Sequence, residues 1–361
     1  MKTYMKTATT ALCGLLLFCA SGYTAEPVYI GLSAPMTGQY AQIGRYFQEG
    51  AELAIENVNR TGGIDGRQMQ LISEDSQGLP EISKRIAAKF TNDQRIVAEI
   101  GDFTSECSLM AQSVYRKAGM VQLSPTVSHP QFAPGSLWSF TISGSQEARS
   151  LFMAHTAFRI LGKKRLAILY VNDEWGIAVK KYFAEAGKQL GAEIVGEETY
   201  FKNTKDFAPI LEKLRTAKPD FLCLGTLVYD AALICRQRQK LGWNDVTVMA
   251  SGAVYMPAFT DLGGDAVEGV YTSAFFYPKD SRPEIQQFVK SYESAFHQTP
   301  TWFAASAYDT VNLLAQSIRK AGTDRQAVRN ALACIRDFPG ITGNITFREH
   351  GCDKSSLFCR R

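Results

Sequence analysis

The chain has 361 residues, 45% of them hydrophobic and 20% charged, with 39 basic residues against 35 acidic ones and a formal charge of +4. Hydrophobic content of that order buries a substantial core, and a chain of this length commonly divides into two domains. The near balance of charge, without a basic cluster, excludes the electrostatic footprint of a nucleic-acid binder.

Lys2 and Lys6 precede an apolar run from Ala11 to Ala20, the order of a secretory signal peptide, and the run is too short for a membrane span. Residues 1–25 read as that signal, with cleavage after Gly22 or after Ala25 both open. The bulky Phe18 before Cys19 argues against a lipidated cysteine. No later segment is long and apolar enough to cross a bilayer, so the mature chain is expected to be soluble.

Beyond the signal, Val28, Ile30 and Leu32 predict a buried strand, and the Gly, Pro, Ser and Thr residues between Ser33 and Gly44 predict a loop. Phe47, Ala51, Ala54, Ile55 and Val58 then recur at helical spacing, stopped by Gly62 and Gly63. Further strands are predicted at 68–73, 96–100 and 121–123, with helices opening at Pro80 and spanning Cys107 to Lys117. After 138–142 the rhythm restarts, with strands at 166–170, 193–195, 221–224, 247–250 and 269–273. Helices around 179–190, 207–217 and 231–241 separate them, and helices resume at Pro283 and over 302–320. This alternation predicts an α/β protein of two doubly wound parallel sheets, each covered on both faces.

In open α/β sheets ligands sit beyond the carboxyl ends of the strands. Three such places carry polar or aromatic residues: 102–105 after the Ile96 strand, 124–128 after the Val121 strand, and 171–176 after the Leu166 strand. Ser105 precedes a helix, where a hydroxyl and unpaired backbone N–H groups suit a carboxylate, although a capping serine has the same signature. Trp175 has the signature of an ordinary core aromatic, although its position in a loop is less bland. His129, His155, His297 and His350 lack metal-ligand spacing, and no nucleophile elbow, phosphate loop or dinucleotide fingerprint is present, so neither catalysis, a metal nor a cofactor is expected. Of eight cysteines, Cys13 and Cys19 leave with the signal. Cys352 and Cys359 bracket a short segment and are the disulfide candidates. Cys223 and Cys235 read as packed thiols, with a bridge between strand and helix as the alternative, and Cys107 and Cys334 have no evident partner.

Several ordered blocks carry a resemblance to a known family. They are Gly31-Leu32-Ser33-Ala34-Pro35-Met36-Thr37-Gly38, then Gly44, Gly50-Ala51-Glu52-Leu53-Ala54, Asn57-Val58-Asn59 and Gly62-Gly63-Ile64. The series continues through Ile100-Gly101, Ser124-Pro125, Asp220-Phe221, Tyr308-Asp309 and 339–347. In these blocks, over essentially the whole mature chain, the sequence resembles the type I periplasmic solute-binding proteins of the leucine/isoleucine/valine-binding kind. The resemblance implies two lobes, residues 26–144 plus 274–342 and residues 145–273 plus 343–361, closing on a ligand across a multi-strand hinge.

It also implies roles. Ser105 falls where the amino-acid binders of that family grip the ligand carboxylate, with Thr126 and Ser128 in the matching second loop, and hydroxyls and amides there would hold it without a formal charge. Ile43, in the loop region before the first helix, borders the cleft, and Trp175 takes the place of an aromatic ring closing from the second lobe. Two positions depart from the pattern: Gly252 stands where those binders carry an acid for the ligand ammonium, and Leu227 where they carry a tyrosine. An ammonium buried without a carboxylate partner is costly, so an α-amino acid would bind poorly unless Asp173, Glu174 or Asp230 swings in. Phe103, Trp175 and Leu227 instead suit a small carboxylate or amide with an apolar body. The expected function is that of a monomeric binding protein, with no catalytic step, delivering such a ligand to ABC permease subunits in the inner membrane. The alternative is a sensory subunit of the same fold acting on a membrane receptor or kinase, and a hydrolase is a distant third.

Overall fold

The computed structural model describes residues 26–348, 351–353 and 357–360. The expected signal peptide lies outside them, as does the side chain of Cys359, so the Cys352–Cys359 pairing falls outside the described residues too.

The first unit begins with strand β1 (Val28–Ala34), helix α1 (Ala41–Arg60), β2 (Met69–Asp75) and α2 (Pro80–Asn92). It continues with β3 (Ile96–Gly101), α3 (Ser105–Ala118), β4 (Val121–Ser124) and β5 (Ser139–Thr141). All its strands are parallel, in the order β2-β1-β3-β4-β5. β3 and β4 are buried along their whole length, as expected of strands covered by helices on both faces.

A second unit opens with α4 (Gln146–His155), which runs on into a π-helical turn at Thr156–Ile160. Then come β6 (Arg165–Val171), α5 (Glu174–Gln189), β7 (Glu193–Tyr200), α6 (Ala208–Thr216) and β8 (Phe221–Gly225). α7 (Val228–Lys240), β9 (Thr247–Ala250), α8 (Pro257–Gly263) and β10 (Tyr271–Ala274) complete that run. The remaining elements are α9 (Pro283–Phe296), α10 (Trp302–Ala321), α11 (Arg325–Ala333), β11 (Phe338–Gly340), β12 (Gly343–Arg348), β13 (Gly351–Asp353) and β14 (Leu357–Arg360). The second sheet has the order β14-β10-β9-β8-β6-β7, with β14 antiparallel to β10 and the other pairings parallel.

α10 packs along α1 of the first unit, and β12 pairs with β11 and β13 in a small third sheet. The Phe347 ring of β12 meets Phe140 of β5 at 5.4 Å, so this strand leans on the first unit, and the backbone joins the second sheet at β14. Buried Asp309 ties α10 to the β11–β12 turn, its carboxylate accepting from the backbone N–H of Ile341 (3.0 Å) and of Thr342 (2.9 Å).

Predicted and observed elements agree closely where the apolar period is strong. Sequence reading missed α4, α8 and α11 and the short strands β11, β13 and β14, and stopped β7 at residue 195. α4 buries Met153 and Ala154 but exposes Leu151, which blurs its period; its start is marked by Ser145, whose hydroxyl accepts from Ala148 N–H at 3.1 Å. β7 is an edge strand, and its adjacent Glu197 and Glu198, on opposite faces, are tolerated because Glu197 is exposed and meets Lys180 at 3.4 Å while the half-buried Glu198 pairs with Lys213 at 2.7 Å. Cys107, Cys223 and Cys235 are separate buried thiols, so strand and helix do not bridge at Cys223 and Cys235, and burial pushes the Cys235 thiol up to about 12. No helix among the described residues is long and apolar enough to cross a membrane.

One buried group gives a test of the first unit's core. Glu99 lies in the interior strand β3, 1% exposed, and its Oε2 has no hydrogen-bond partner among the described residues. Burial first, and then the neighbouring Asp102 charge, hold its carboxyl well above the usual carboxylate range. A folded pKa raised above the unfolded one means that the unfolded chain releases the proton first, so stability falls as pH rises above the ordinary glutamate range. Glu99→Gln is therefore expected to match the parent near pH 4 and to gain on it by about 1.4 kcal/mol for each pH unit climbed, until the folded group itself ionises. Urea titrations of both proteins at pH 4, 6 and 8 measure this, and a constant difference across that range would contradict it.

Candidate functional site

Backbone geometry brings the loops after five parallel strands to one cavity. Phe103 to Glu106 follow β3, Thr126 and Val127 follow β4, Asp173 and Trp175 follow β6, Leu227 follows β8, and Ala253 follows β9. Arg149 of α4 and Trp302 at the start of α10 complete the wall. About 40 Å³ is open to the centres of water-sized molecules, room for one small molecule rather than a polymer. Both sheets thus contribute strand ends, which is where open α/β sheets place ligands.

The loop after β3 is held from below. Asp102, 1% exposed, accepts hydrogen bonds from the hydroxyls of Ser33 (3.0 Å) and Ser83 (2.9 Å) and from the N–H of Phe103. Ser108 Oγ accepts from the Asp102 N–H at 3.0 Å. Phe103 in turn sits edge-on to Tyr40 (5.3 Å) and Phe303 (5.9 Å), so an aromatic cluster fixes the cavity floor. Capping of α3 falls to Thr104, whose hydroxyl accepts from the Cys107 N–H, and Ser105 becomes the first helical residue. Ser105 as a residue is 96% buried in the wall and its hydroxyl makes no hydrogen bond within the described residues, which leaves it available to a ligand beside the helix N-terminus. Thr126 donates from its hydroxyl to the Phe103 carbonyl at 3.3 Å, linking the two loops.

Of the residues expected from sequence, Phe103, Ser105, Thr126, Trp175 and Leu227 line the cavity together. Ser128, Ile43 and Gly252 are not part of its wall. Ser128 is buried with its hydroxyl donating to Gln146 Oε1 at 3.0 Å, and Ile43 is 2% exposed in the main core. Gly252 backs onto β10: a Cβ there would lie 2.6 Å from the Ser273 carbonyl oxygen, so the backbone packing that excludes a carboxylate side chain also explains the glycine.

Acids reach the cavity from elsewhere. Asp173 caps α5 by accepting from the Gly176 N–H (2.8 Å), and Glu106 stands on the first turn of α3. Lys202 bridges the two, 2.5 Å from Glu106 and 3.4 Å from Asp173, and His129 lies 3.6 Å from Glu174. The Lys202–Glu106 and His129–Glu174 contacts join the first unit to the second. Burial raises the Asp173 carboxyl, and burial lowers His129. The partly exposed Lys202–Glu106 pair contributes at most about 1 kcal/mol, so it biases the contact between the units rather than locking it.

Sequence reading missed Arg149, Trp302 and Ala253. Arg149 belongs to the helix that its weak apolar period concealed, and Trp302 lies in a third stretch of chain, far from either loop set. The signal that could have found Trp302 is Thr301, whose hydroxyl caps α10 by accepting from the Ala304 N–H and so fixes where the helix begins.

A chain with two parallel sheets, strand ends converging on one small cavity and three stretches of chain shared between units has the architecture of the two-lobed binding proteins. Residues 27–355 match the family model for periplasmic binding protein, and the chain belongs to that family. It is similar to the Leu/Ile/Val-binding protein homolog 1 of Brucella suis biovar 1, at 27% identity over 95% of this chain and 92% of the relative. Also similar is the leucine-, isoleucine-, valine-, threonine- and alanine-binding protein of Pseudomonas aeruginosa, at 26% identity over 92% of this chain and 89% of the relative. Among solved structures, the ABC transporter substrate-binding protein from Desulfitobacterium hafniense in complex with Leu is 26% identical. It covers 93% of this chain and 98% of its own, with a TM-score of 0.81.

Proposed function

We propose that this protein is a periplasmic solute-binding protein of an ABC transporter: it closes two lobes over a small carboxylate-bearing or amide ligand and presents it to permease subunits in the inner membrane. The observation that carries this reading is the cavity built from strand ends of both sheets, with the Ser105 hydroxyl and the α3 N-terminus facing Trp175 and Leu227. Ligand contacts made by both sides favour the closed form, which is the form a permease distinguishes from the empty protein. The lobes are residues 26–144 plus 274–342 and 145–273 plus 343–361, and residues 1–25 are the export signal. Relatives named for leucine, isoleucine and valine support a ligand of that size class. Phe103, Ser105, Thr126, Trp175 and Leu227 hold it, and no step makes or breaks a covalent bond.

A thermal-shift screen of amino acids, aromatic acids and amides, followed by calorimetry of each hit, tests the site. Trp175→Ala is expected to weaken every hit about 10-fold or more through lost apolar contact, and Ser105→Ala to weaken those with an acceptor at the helix end by a similar factor. Binding of every hit unchanged in Ser105→Ala would overturn the assignment, and turnover of a bound amide or ester would revive an enzymatic role.

A further inference from the structure

Arg149 is 94% buried and lines the cavity, yet no carboxylate pairs with it among the described residues. One terminal nitrogen, Nη2, donates to the carbonyl and hydroxyl of Ser143, and the guanidinium lies 4.7 Å from the centroid of the Phe275 ring. Its Nε has no partner. Trp302, 97% buried on the same wall, also has an unpartnered Nε1, and its ring stands 6.3 Å from Phe275. The two acids of the cavity, Glu106 and Asp173, are engaged by Lys202.

Guanidinium and indole N–H groups donate and cannot accept, so these two orphan donors on residues of one wall are satisfied only by an acceptor. A water oxygen would answer the hydrogen bonds but not the charge, and a buried unpaired charge is among the costliest features a fold can carry. Burial alone pulls Arg149 down to about 10, which leaves it fully charged at neutral pH.

Resting on the solute-binding reading above, we propose that the ligand is an organic anion whose carboxylate is paired by Arg149 and hydrogen-bonded by Trp302, so that this arginine supplies the formal positive charge of the site. Selection is then for acids over their neutral amides, and with a backbone-packed glycine at 252 an α-ammonium is not required for binding.

Calorimetry with 4-methylpentanoate and benzoate, their primary amides and leucine, alongside native mass spectrometry of the purified protein, tests this. At least one acid is expected to bind at least 10-fold more tightly than its amide. Arg149→Met is expected to weaken that acid about 100-fold while changing the amide little, and Trp302→Phe, which keeps the ring and removes the N–H, to weaken it about 5-fold. Equal affinity for acid and amide, or undiminished acid binding by Arg149→Met, overturns the proposal. Should Arg149→Met fail to fold by circular dichroism, the acid–amide ratio on the parent and the Trp302→Phe measurement decide. An amide or leucine bound in a Ser105-dependent manner without preference for acids removes this inference alone. No bound small molecule in any arm removes the solute-binding reading with it.

Discussion

Asp102→Ala is expected to cost about 3 kcal/mol of folding stability and to weaken ligand binding at least 10-fold, although the residue does not line the cavity. Its carboxylate is the shared acceptor for the Ser33 and Ser83 hydroxyls and the Phe103 N–H, all in the interior. Truncation strands three donors there, and each unsatisfied buried group costs about 1–3 kcal/mol, partly relieved where a hydroxyl can turn to a new partner. The functional loss follows from position. Phe103 is the next residue and Ser105 lies three along, so a loop released at Asp102 no longer presents the α3 N-terminus at one fixed place. Asp102→Asn separates the two roles, because its amide oxygen can still accept from Phe103 while the hydroxyls lose a strong acceptor. It should recover about half of the stability and most of the affinity. Urea unfolding and calorimetry on the same preparations read both effects. Parent-like affinity in an Asp102→Ala protein of clearly lowered stability would show that the loop holds itself.

Gly50→Ala is expected to destabilise by about 3 kcal/mol and lower the melting temperature by about 4 °C, against the sign that helix propensity gives. In the middle of a solvent-facing helix the same change stabilises by about 1 kcal/mol, since alanine is the better helix former. Here α1 crosses α10 so closely that a Cβ on Gly50 would lie 2.1 Å from the Ala304 carbonyl oxygen and 2.8 Å from its carbon. Both partners are backbone inside helices, so no side chain can swing away and the helices must part. That displacement moves the start of α10, where Trp302 and Phe303 meet the cavity floor, so a weaker ligand affinity should accompany the lower melting point. A melting temperature raised by the substitution would mean that the two helices are not in this contact in solution.

How much was legible beforehand differs between scaffold and site. Strands β1, β3, β4, β6, β8 and β9 were readable because a strand buried on both faces needs a short apolar run, and the chain offers few other reasons for one. Loops after those strands pointed to Phe103, Ser105, Thr126, Trp175 and Leu227, since the parallel-sheet pattern itself says where a ligand goes. Ser128 and Gly252 lie in the right loops, but which way a loop residue faces depends on hydrogen bonds and backbone contacts that pattern does not encode. Gln146 takes the Ser128 hydroxyl, and the Ser273 carbonyl leaves no room at Gly252.

The sequence by itself determined an α/β protein with two sheets in series, an amphipathic first helix and ligand loops at strand ends, because hydrophobic period and turn chemistry are local properties of the chain. Tertiary structure decided that Arg149 and Trp302, 153 positions apart in the numbering, share a wall with Ser105 and keep donors without acceptors. The charge balance of a cavity is a sum over whatever the fold brings together, and an arginine in an unremarked helix acquires its meaning only when burial removes water and every acid nearby is already paired.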